Sequence, residues 1–344
     1  MEWIQPEHER KDVNAAAKIL LEAETEVMAA DEYQEALQIV NNWRYSHNYP
    51  LNTFKVTLRK YAAKAYPSAV VAERRKRLES ILSKLNRESS MRLTQMQDIA
   101  GCRAVVGSVS SVRGLVEIYR KSDIKHKLHH VKDYIDHPKS SGYRGVHMIY
   151  EYFSDKIDTW NGLKVELQFR SPLQHVWATA VETVGAFTKQ ALKSSRGAAD
   201  WLRFFALMGS YIARKEKSSI VPDTPTDTAE LKSELSDCVS ELNAFSQLQG
   251  FQKSMGAIDD PDLKGSGYYL LQLNTTSSPP RLAVKGYKVS DLKIAMSHST
   301  EAEKNPDLNV VLVAVSSLKT LRRAYPNYYA DTEAFLKILR EAVS

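Results

Sequence analysis

The sequence predicts an α+β fold with a mixed β-sheet flanked by helices and a small C-terminal α+β domain. Three observations support this fold class. Apolar residues recur at helical spacing from Val13 to about Met91, with few glycines between them. Residues 99–170 are instead rich in β-branched and aromatic runs, which are typical of strands. After residue 263, short strand and helix patterns alternate again.

Length and composition are those of a globular protein of about two domains, at roughly 100–200 residues per domain. The chain has 344 residues, a net charge of +6 and two cysteines, Cys102 and Cys238. Lone cysteines argue against a disulfide scaffold and a structural zinc site, and no stretch reaches the roughly 20 apolar residues of a membrane span. We therefore expect a cytoplasmic protein. Its positive charge permits a phosphate-rich partner but does not require one.

The elements follow from local patterns. Pro50 and Pro67 divide the N-terminal helical region into three or four helices. Strands are predicted at 103–106, 146–153 and 164–170, with a helix at 109–121.

Helices resume at 172–217, and the Pro-containing segment 218–227 is the predicted linker before a helix at 228–255. In the tail we predict strands at 268–274, 281–287 and 309–315, a helix between the last two, and a final helix from Asp331. The predicted organisation is N-terminal helices (1–70), a central domain (71–217), a linker with a connecting helix (218–262) and a C-terminal domain (263–344).

The most informative stretch is KVELQFR at 164–170. Period-2 alternation places Glu166, Gln168 and Arg170 on one face and the apolar residues on the other. A solvated antiparallel strand would give the same alternation. A carboxylate, an amide and a guanidinium together favour a functional face, and a helix that follows would place His175, Thr179 and Glu182 on one side beside it.

Two segments upstream carry further charged groups. In a helix, Arg74, Arg77 and Lys84 would share one side, and Lys76, Ser80 and Lys84 an overlapping one; the alternative is a solvated basic face. The run Asp98-Ile-Ala-Gly-Cys-Arg103 puts an acid before a strand and an arginine after a glycine. Asp98 is either a surface charge or, together with Glu166, a magnesium ligand, since Mg²⁺ favours one or two carboxylates completed by phosphate oxygens.

The third segment is a loop at 132–147, marked by Pro138 and Gly142. Lys132, Lys139 and Arg144 surround two tyrosines there, an arrangement that suits a nucleotide whose base stacks on an aromatic ring; a plain basic loop with a buried tyrosine is the alternative. No phosphate-binding glycine signature such as G-x-x-x-x-G-K-[ST] occurs. Any nucleotide phosphates would therefore be held by cationic side chains and metal.

In this order the segments resemble the synthetase domain of the RelA/SpoT family, the ATP pyrophosphokinases that make guanosine alarmones. The matching elements are the basic segment from Arg74 to Lys84, D-x-x-G-x-R at 98–103, the loop around Gly142-Tyr143, and E-x-Q-x-R at 166–170. They cover roughly residues 74–182. The resemblance implies a nucleotidyltransferase-like synthetase domain with a mixed β-sheet.

The resemblance also implies roles for single residues. Arg74 and Arg103 would hold the adenine of ATP, and Lys76, Ser80 and Lys84 its phosphates. Asp98 and Glu166 would be the catalytic pair and the Mg²⁺ ligands. Tyr143 would stack on the base of the acceptor. The residues that would bind the acceptor are Lys132, Lys139, Tyr143, His147 and Gln168.

The acceptor loop reads Ser-Gly-Tyr-Arg-Gly-Val-His where alarmone synthetases usually have Asn-Gly-Tyr-Gln-Ser-Leu-His, and the tail contains Tyr325-Pro-Asn-Tyr328. A synthetase with such a tail is similar to CapRel-type fused toxin–antitoxin proteins. That likeness implies pyrophosphate transfer to the 3′ CCA end of tRNA, and a pseudo-zinc-finger-like C-terminal domain. Tyr325 and Tyr328 would block the ATP site until a phage capsid or other phage protein binds.

No DNA or membrane partner is expected. Two alternatives remain: a guanosine alarmone synthetase, and a non-catalytic module that binds nucleotide or tRNA.

Overall fold

The computed structural model describes residues 3–23, 29–188, 197–254, 256–259, 266–274, 276–277, 281–305, 307–313 and 332–344. Its N-terminal helices are α1 (Arg10–Glu22), α2 (Ala30–Ser46) and α3 (Asn48–Ala65). The central part contains β1 (Val70–Arg75), α4 (Leu78–Arg87), β2 (Ala100–Val105), α5 (Val109–Arg120), β3 (Lys127–Asp133), β4 (Val146–Glu151), β5 (Lys164–Arg170), α6 (Pro172–Thr188) and α7 (Gly197–Lys215). The C-terminal part contains α8 (Thr228–Glu241), α9 (Ala244–Ser254), β6 (Gly256–Asp259), β7 (Tyr268–Asn274), β8 (Arg281–Tyr287), α10 (Leu292–Glu303), β9 (Leu308–Val313) and α11 (Glu333–Val343).

The central sheet has the order β1-β2-β5-β4-β3. It is mixed, because β2 and β5 run parallel whereas the other neighbours are antiparallel. One face carries the apolar side chains of β2, β4 and β5 and packs against α3 and α5, where Phe54, Leu58 and Leu115 are completely buried. The opposite face is polar. Because the apolar face must be buried, the register of the strands is fixed, and this register also aligns the side chains of the polar face. These features confirm the predicted α+β class with a mixed sheet.

Three local predictions were wrong. The helical pattern of the first 91 residues contains a strand, β1, which pairs antiparallel with β2, so Arg74 lies on a strand while Lys84 lies on α4. Residues 127–133 form an edge strand, β3, that was not predicted. The helix predicted at 228–255 is two helices, separated at Asn243, whose φ of 48° is incompatible with a right-handed helix.

A second core lies among helices that follow the central sheet. Apolar side chains of α6 and α7 pack there with those of α8, α9 and α11, including Phe204, Leu235 and Phe335. The segment predicted as a linker, 218–227, packs along α7: Val221 is 1% exposed and donates its backbone N–H to Ser210 Oγ at 2.9 Å.

The small sheet has the order β6-β8-β7-β9, and it contacts the central domain on one side and the N-terminal helices on the other. Leu271 and Val313 share a buried cluster with Ala72 of β1. On the other side, Tyr45 of α2 packs in a cluster with Leu270 of β7 and residues of α10. Within the part of the chain that the structure describes, no helix is both long and apolar enough to cross a membrane.

Candidate active site

The polar face of the central sheet brings the predicted site residues into two adjacent rows. Cross-strand pairing aligns Arg74 with Gly101, Gly101 with Glu166, and Glu166 with Ile149 of β4. The next row, two residues along each strand, contains Arg103, Gln168, His147 and Lys132. Side chains two residues apart on a strand point to the same face, so both rows face the same side of the sheet.

A cavity of about 150 Å³ lies over these rows at the β1 and β2 end of the sheet. Its lining includes Arg74, Lys76, Asp98, Arg103, Glu166 and Gln168. The structure thus brings together, around one cavity, five of the residues predicted for ATP and metal binding, although they come from segments up to 92 residues apart.

Asp98, two residues before the start of β2, is held by two lysines. Its carboxylate accepts hydrogen bonds from Lys76 Nζ at 2.8 Å and from Lys84 Nζ at 3.1 Å. Burial alone would raise the pKa of Asp98, but the two ammonium groups outweigh burial and lower it. Asp98 is therefore ionised at neutral pH. Ser80 lies one turn before Lys84 on α4 and is half-buried.

Glu166 is the second ionised carboxylate of the cavity. His147 Nδ1 lies 2.8 Å from Glu166 Oε1, and Gln168 Nε2 donates to Glu166 Oε2 at 2.6 Å. Burial raises the pKa of Glu166, and the charge of Asp98 raises it slightly more. The hydrogen bond and charge of His147, together with the hydrogen bond from Gln168, outweigh both effects, so the pKa lies below its usual value. Asp98 and Glu166 line the same cavity.

A closed network of hydrogen bonds connects Glu166 to the acceptor loop. The Tyr143 hydroxyl lies 2.5 Å from His147 Nε2 and accepts a hydrogen bond from Arg170 Nη2 at 3.1 Å. Arg170 also donates to Gln168 Oε1 at 3.3 Å, which closes the ring. Burial disfavours the His147 imidazolium, but the Tyr143 oxygen and the Glu166 carboxylate outweigh burial and raise its pKa to about 9. Tyr143 is thus positioned two hydrogen bonds from Glu166.

The loop cations lie beside this network. Lys139 Nζ is 4.6 Å from the centre of the Tyr134 ring and 5.4 Å from that of Tyr143, within cation–π range. Lys132 is exposed at the end of the row that contains His147. Tyr143 itself is half-buried, and its stacking on an acceptor base stays a prediction.

Sequence reasoning assigned no role to Arg170. It is 5% exposed, and its guanidinium connects Tyr143 with Gln168. The signal was present, since the alternation that predicts Glu166 and Gln168 on one face includes Arg170. Glu182, expected beside the strand's end, lines the cavity from α6 and lies 3.9 Å from Arg74 Nη1. The predicted autoinhibitory residues Tyr325 and Tyr328 lie outside the described residues.

The donor set fits a magnesium ion that is shared with phosphate oxygens. Two ionised carboxylates, Asp98 and Glu166, line one cavity, and Mg²⁺ favours one or two carboxylates with substrate phosphates. No group of three or more His, Cys, Asp or Glu side chains among the described residues forms a metal cage of its own. An ion bound here would therefore depend on the nucleotide for further ligands.

This combination of mixed sheet, basic segment and carboxylate pair agrees with the family comparison. Residues 73–189 match the family model described as "Region found in RelA / SpoT proteins". The matched part of the chain extends from β1 to the end of α6.

Two relatives from Bacillus subtilis (strain 168) are also similar to this chain. The chain is 32% identical over 109 residues to GTP pyrophosphokinase YwaC, covering 30% of this chain and 51% of the relative. It is 32% identical over 126 residues to GTP pyrophosphokinase YjbM, covering 36% of this chain and 59% of the relative. The chain thus spans less than two thirds of the length of either relative.

Solved structures of small synthetases are also similar. The small alarmone synthetase 1 from Bacillus subtilis, bound to its product pppGpp, has 22% identity and a TM-score of 0.44, over 52% of this chain and 95% of that one. A GTP pyrophosphokinase family protein from Streptococcus pneumoniae has 27% identity and a TM-score of 0.41, over 55% and 92% of the two chains.

Proposed function

We propose that this chain is an ATP-dependent pyrophosphokinase that transfers pyrophosphate from ATP to a ribose 3′ hydroxyl. The observation that carries the proposal is the pair of ionised carboxylates, Asp98 and Glu166, in one cavity with Arg74, Lys76 and Arg103. Phosphoryl-group transfer depends mainly on positioning and on cations that offset the charge of the transferred group. This cavity offers both.

In the proposed reaction the 3′ oxygen attacks the β-phosphorus of ATP. The bond between the β-phosphorus and the α,β-bridging oxygen breaks, AMP leaves, and the acceptor becomes a 3′ diphosphate. The hydroxyl proton passes to the Glu166 carboxylate, which is deprotonated beforehand because of its lowered pKa. Bound Mg²⁺ would offset the charge of the triphosphate.

The chain's own residues divide between donor and acceptor. Arg74 and Arg103 would contact the adenine, while Lys76, Ser80 and Lys84 would contact the phosphates. The two lysines bound to Asp98 in this structure are suited to that role, because ammonium groups held beside a carboxylate can turn to phosphate oxygens when nucleotide and metal arrive. Tyr143 and His147 would orient the acceptor nucleotide beside Glu166.

We propose the 3′ CCA end of tRNA as the acceptor. The net charge of +6 and the lysines at the β3 side of the polar face support a polynucleotide, whose phosphates bind cations in a salt-dependent way. Lys132 and Lys139 are exposed there. Burial lowers the pKa of the neighbouring His130, and the positive charges of Lys132, His129 and Lys164 lower it further, whereas Glu166 raises it by less. The second candidate is GDP or GTP, which the names of both Bacillus relatives favour.

Transfer from ATP labelled at its γ-phosphate decides between the acceptors. Purified protein is incubated with labelled ATP and Mg²⁺, together with deacylated tRNA, GDP or GTP. Label on tRNA that disappears when the 3′ hydroxyl is oxidised supports the tRNA acceptor, whereas label on guanine nucleotides alone overturns it. If no acceptor is labelled, and the Glu166→Gln variant binds the same ligands equally well, the non-catalytic alternative is favoured.

We further propose that the C-terminal domain blocks the ATP site and that a phage protein releases it. Val313, the last described residue before the segment containing Tyr325 and Tyr328, packs in one cluster with Ala72. Ala72 is the register partner of Arg103, a predicted adenine contact. Tyr325→Ala is expected to increase transfer and slow the growth of expressing cells. Unchanged growth with confirmed soluble expression would contradict the blocking role.

A further inference from the structure

A buried ion pair anchors the acceptor loop to a helix beyond the RelA/SpoT region. Arg144, between Tyr143 and Gly145, is only 3% exposed. Its Nη1 lies 2.9 Å from Glu216 Oε2, and its Nη2 donates a hydrogen bond to Ser218 Oγ. Arg144 therefore points away from the acceptor face, in contrast to Lys132 and Lys139, with which sequence analysis grouped it.

Glu216 is well satisfied at its end of the contact. Its carboxylate accepts hydrogen bonds from Ser171 Oγ and from Gln174 Nε2, the second at 3.0 Å. Ser171 directly follows β5, so Glu216 connects the end of the catalytic strand, the start of α6 and the acceptor loop. Burial lowers the pKa of Arg144, and Glu216 raises it again but not to its usual value, so the arginine depends on this partner.

The end of α7 is shaped to present both partners. Lys217 has a φ of 51°, and Ser218 donates its backbone N–H to Ala213 O at 3.0 Å, as at helix ends closed by a left-handed residue. This turn brings the Glu216 carboxylate and the Ser218 hydroxyl into contact with the guanidinium of Arg144.

A second contact holds the same loop against α7. Gly142 has a φ of 93°, and a Cβ at this position would lie 2.5 Å from Phe205 O. A Cβ on Gly209 would lie 2.8 Å from Gly142 Cα. The backbone of the acceptor loop therefore contacts the backbone of α7 directly, with Gly142 on one side and Gly209 on the other, since any larger residue would separate the two segments.

We propose that Arg144 and Glu216 form a positioning pair that fixes the acceptor loop, and thereby sets how the acceptor nucleotide is held. Neither residue touches the reacting groups. Arg144 acts through its neighbour Tyr143, whose hydroxyl contacts His147 and through it Glu166. Because the family model ends at residue 189, the shape of this acceptor site depends on a segment outside the shared region.

The test uses Glu216→Gln, which keeps the side chain's size and removes its charge. Two quantities are measured: amide hydrogen exchange across residues 134–147, and the KM for acceptor and for ATP separately. We expect exchange in the loop about 10-fold faster and an acceptor KM about 10-fold to 100-fold higher, with the KM for ATP unchanged. Ser218→Ala, a milder change that retains the ion pair, should shift both quantities in the same direction by a smaller factor.

Glu234→Gln is the matched control. Glu234 of α8 accepts hydrogen bonds from Arg203 of α7 at 2.5 and 2.8 Å. This ion pair also involves α7, but both of its side chains are partly exposed. The control variant should leave loop exchange and acceptor KM unchanged.

Unchanged loop exchange in Glu216→Gln overturns the proposal, as does faster exchange with an unchanged acceptor KM. A KM change of equal size for ATP and acceptor also overturns it, because that result indicates general loosening. Of the two measurements, only the KM values depend on the proposed transfer reaction. If wild-type protein labels no acceptor, the proposed function fails, and loop exchange alone supports or overturns the anchoring role of the pair.

Discussion

Replacing Glu303 with glutamine removes the negative partner of a buried arginine that joins the small C-terminal sheet to the N-terminal helices. Arg44 on α2 donates to Glu303 of α10 through Nη1 at 3.0 Å and Nη2 at 3.1 Å, and the side chains are 2% and 13% exposed. The same guanidinium donates to the backbone carbonyl of Lys76 at 3.2 Å. Loss of Glu303 therefore leaves a charge inside the contact between the two parts.

The expected cost follows from that burial. Removing one partner of a buried, hydrogen-bonded pair destabilises a protein by about 3–5 kcal/mol, because the remaining charge is desolvated without compensation. Replacing both partners by apolar residues of similar size, as in Arg44→Met with Glu303→Leu, is often nearly neutral. We therefore expect Glu303→Gln to lower the free energy of unfolding by about 3–5 kcal/mol, and the double variant to recover most of that loss.

The assay is equilibrium urea unfolding followed by tryptophan fluorescence, together with hydrogen exchange over residues 268–313 to detect separate opening of the small sheet. Glu301→Gln on the same helix is the control. The Glu301 side chain is 72% exposed and pairs with Lys304, which is 50% exposed, and such surface pairs contribute about 0–1 kcal/mol. A Glu303→Gln loss no larger than that of the control would refute the reasoning.

Three further outcomes are expected. Glu166→Gln should abolish transfer while nucleotide binding, measured by calorimetry, persists; retained transfer would exclude Glu166 as the base. Tyr143→Phe should retain acceptor binding better than Tyr143→Ala if the ring stacks on the base, and equal KM values in the two variants would contradict stacking. Burial lowers the pKa of His47 from 6.5 to about 4, so its contribution to stability is complete above pH 6.5 and is lost as the pH falls towards 4. His47→Asn should reduce the stability difference between pH 7.5 and 4 by about 2–3 kcal/mol, and an identical difference in both proteins would contradict this.

Some of the site was predictable because it depends on alternation within one strand. The pattern of residues 164–170 placed Glu166 and Gln168 on one polar face, and the structure has this strand with the predicted bounds, Lys164–Arg170. Strands β7 and β8 were also predicted with their observed bounds, since clear alternation and flanking turns are local signals. The chemistry of Mg²⁺ left the pairing of Asp98 with Glu166 as one of two alternatives, and only the family resemblance favoured it, because no local pattern brings these two segments together.

By itself, the sequence determined which side chains of strand β5 share a face and that helices precede the central sheet, because both properties follow from the geometry of neighbouring residues. Only the tertiary structure decided that β1 is a strand, since its charged end is stabilised by pairing with residues of β2 that lie 25 to 29 positions away in the sequence. The same holds for Arg144, a loop cation in the sequence whose charge is taken up by Glu216 across 72 positions. Such partners are selected by packing and desolvation over the whole chain, and no local period encodes them.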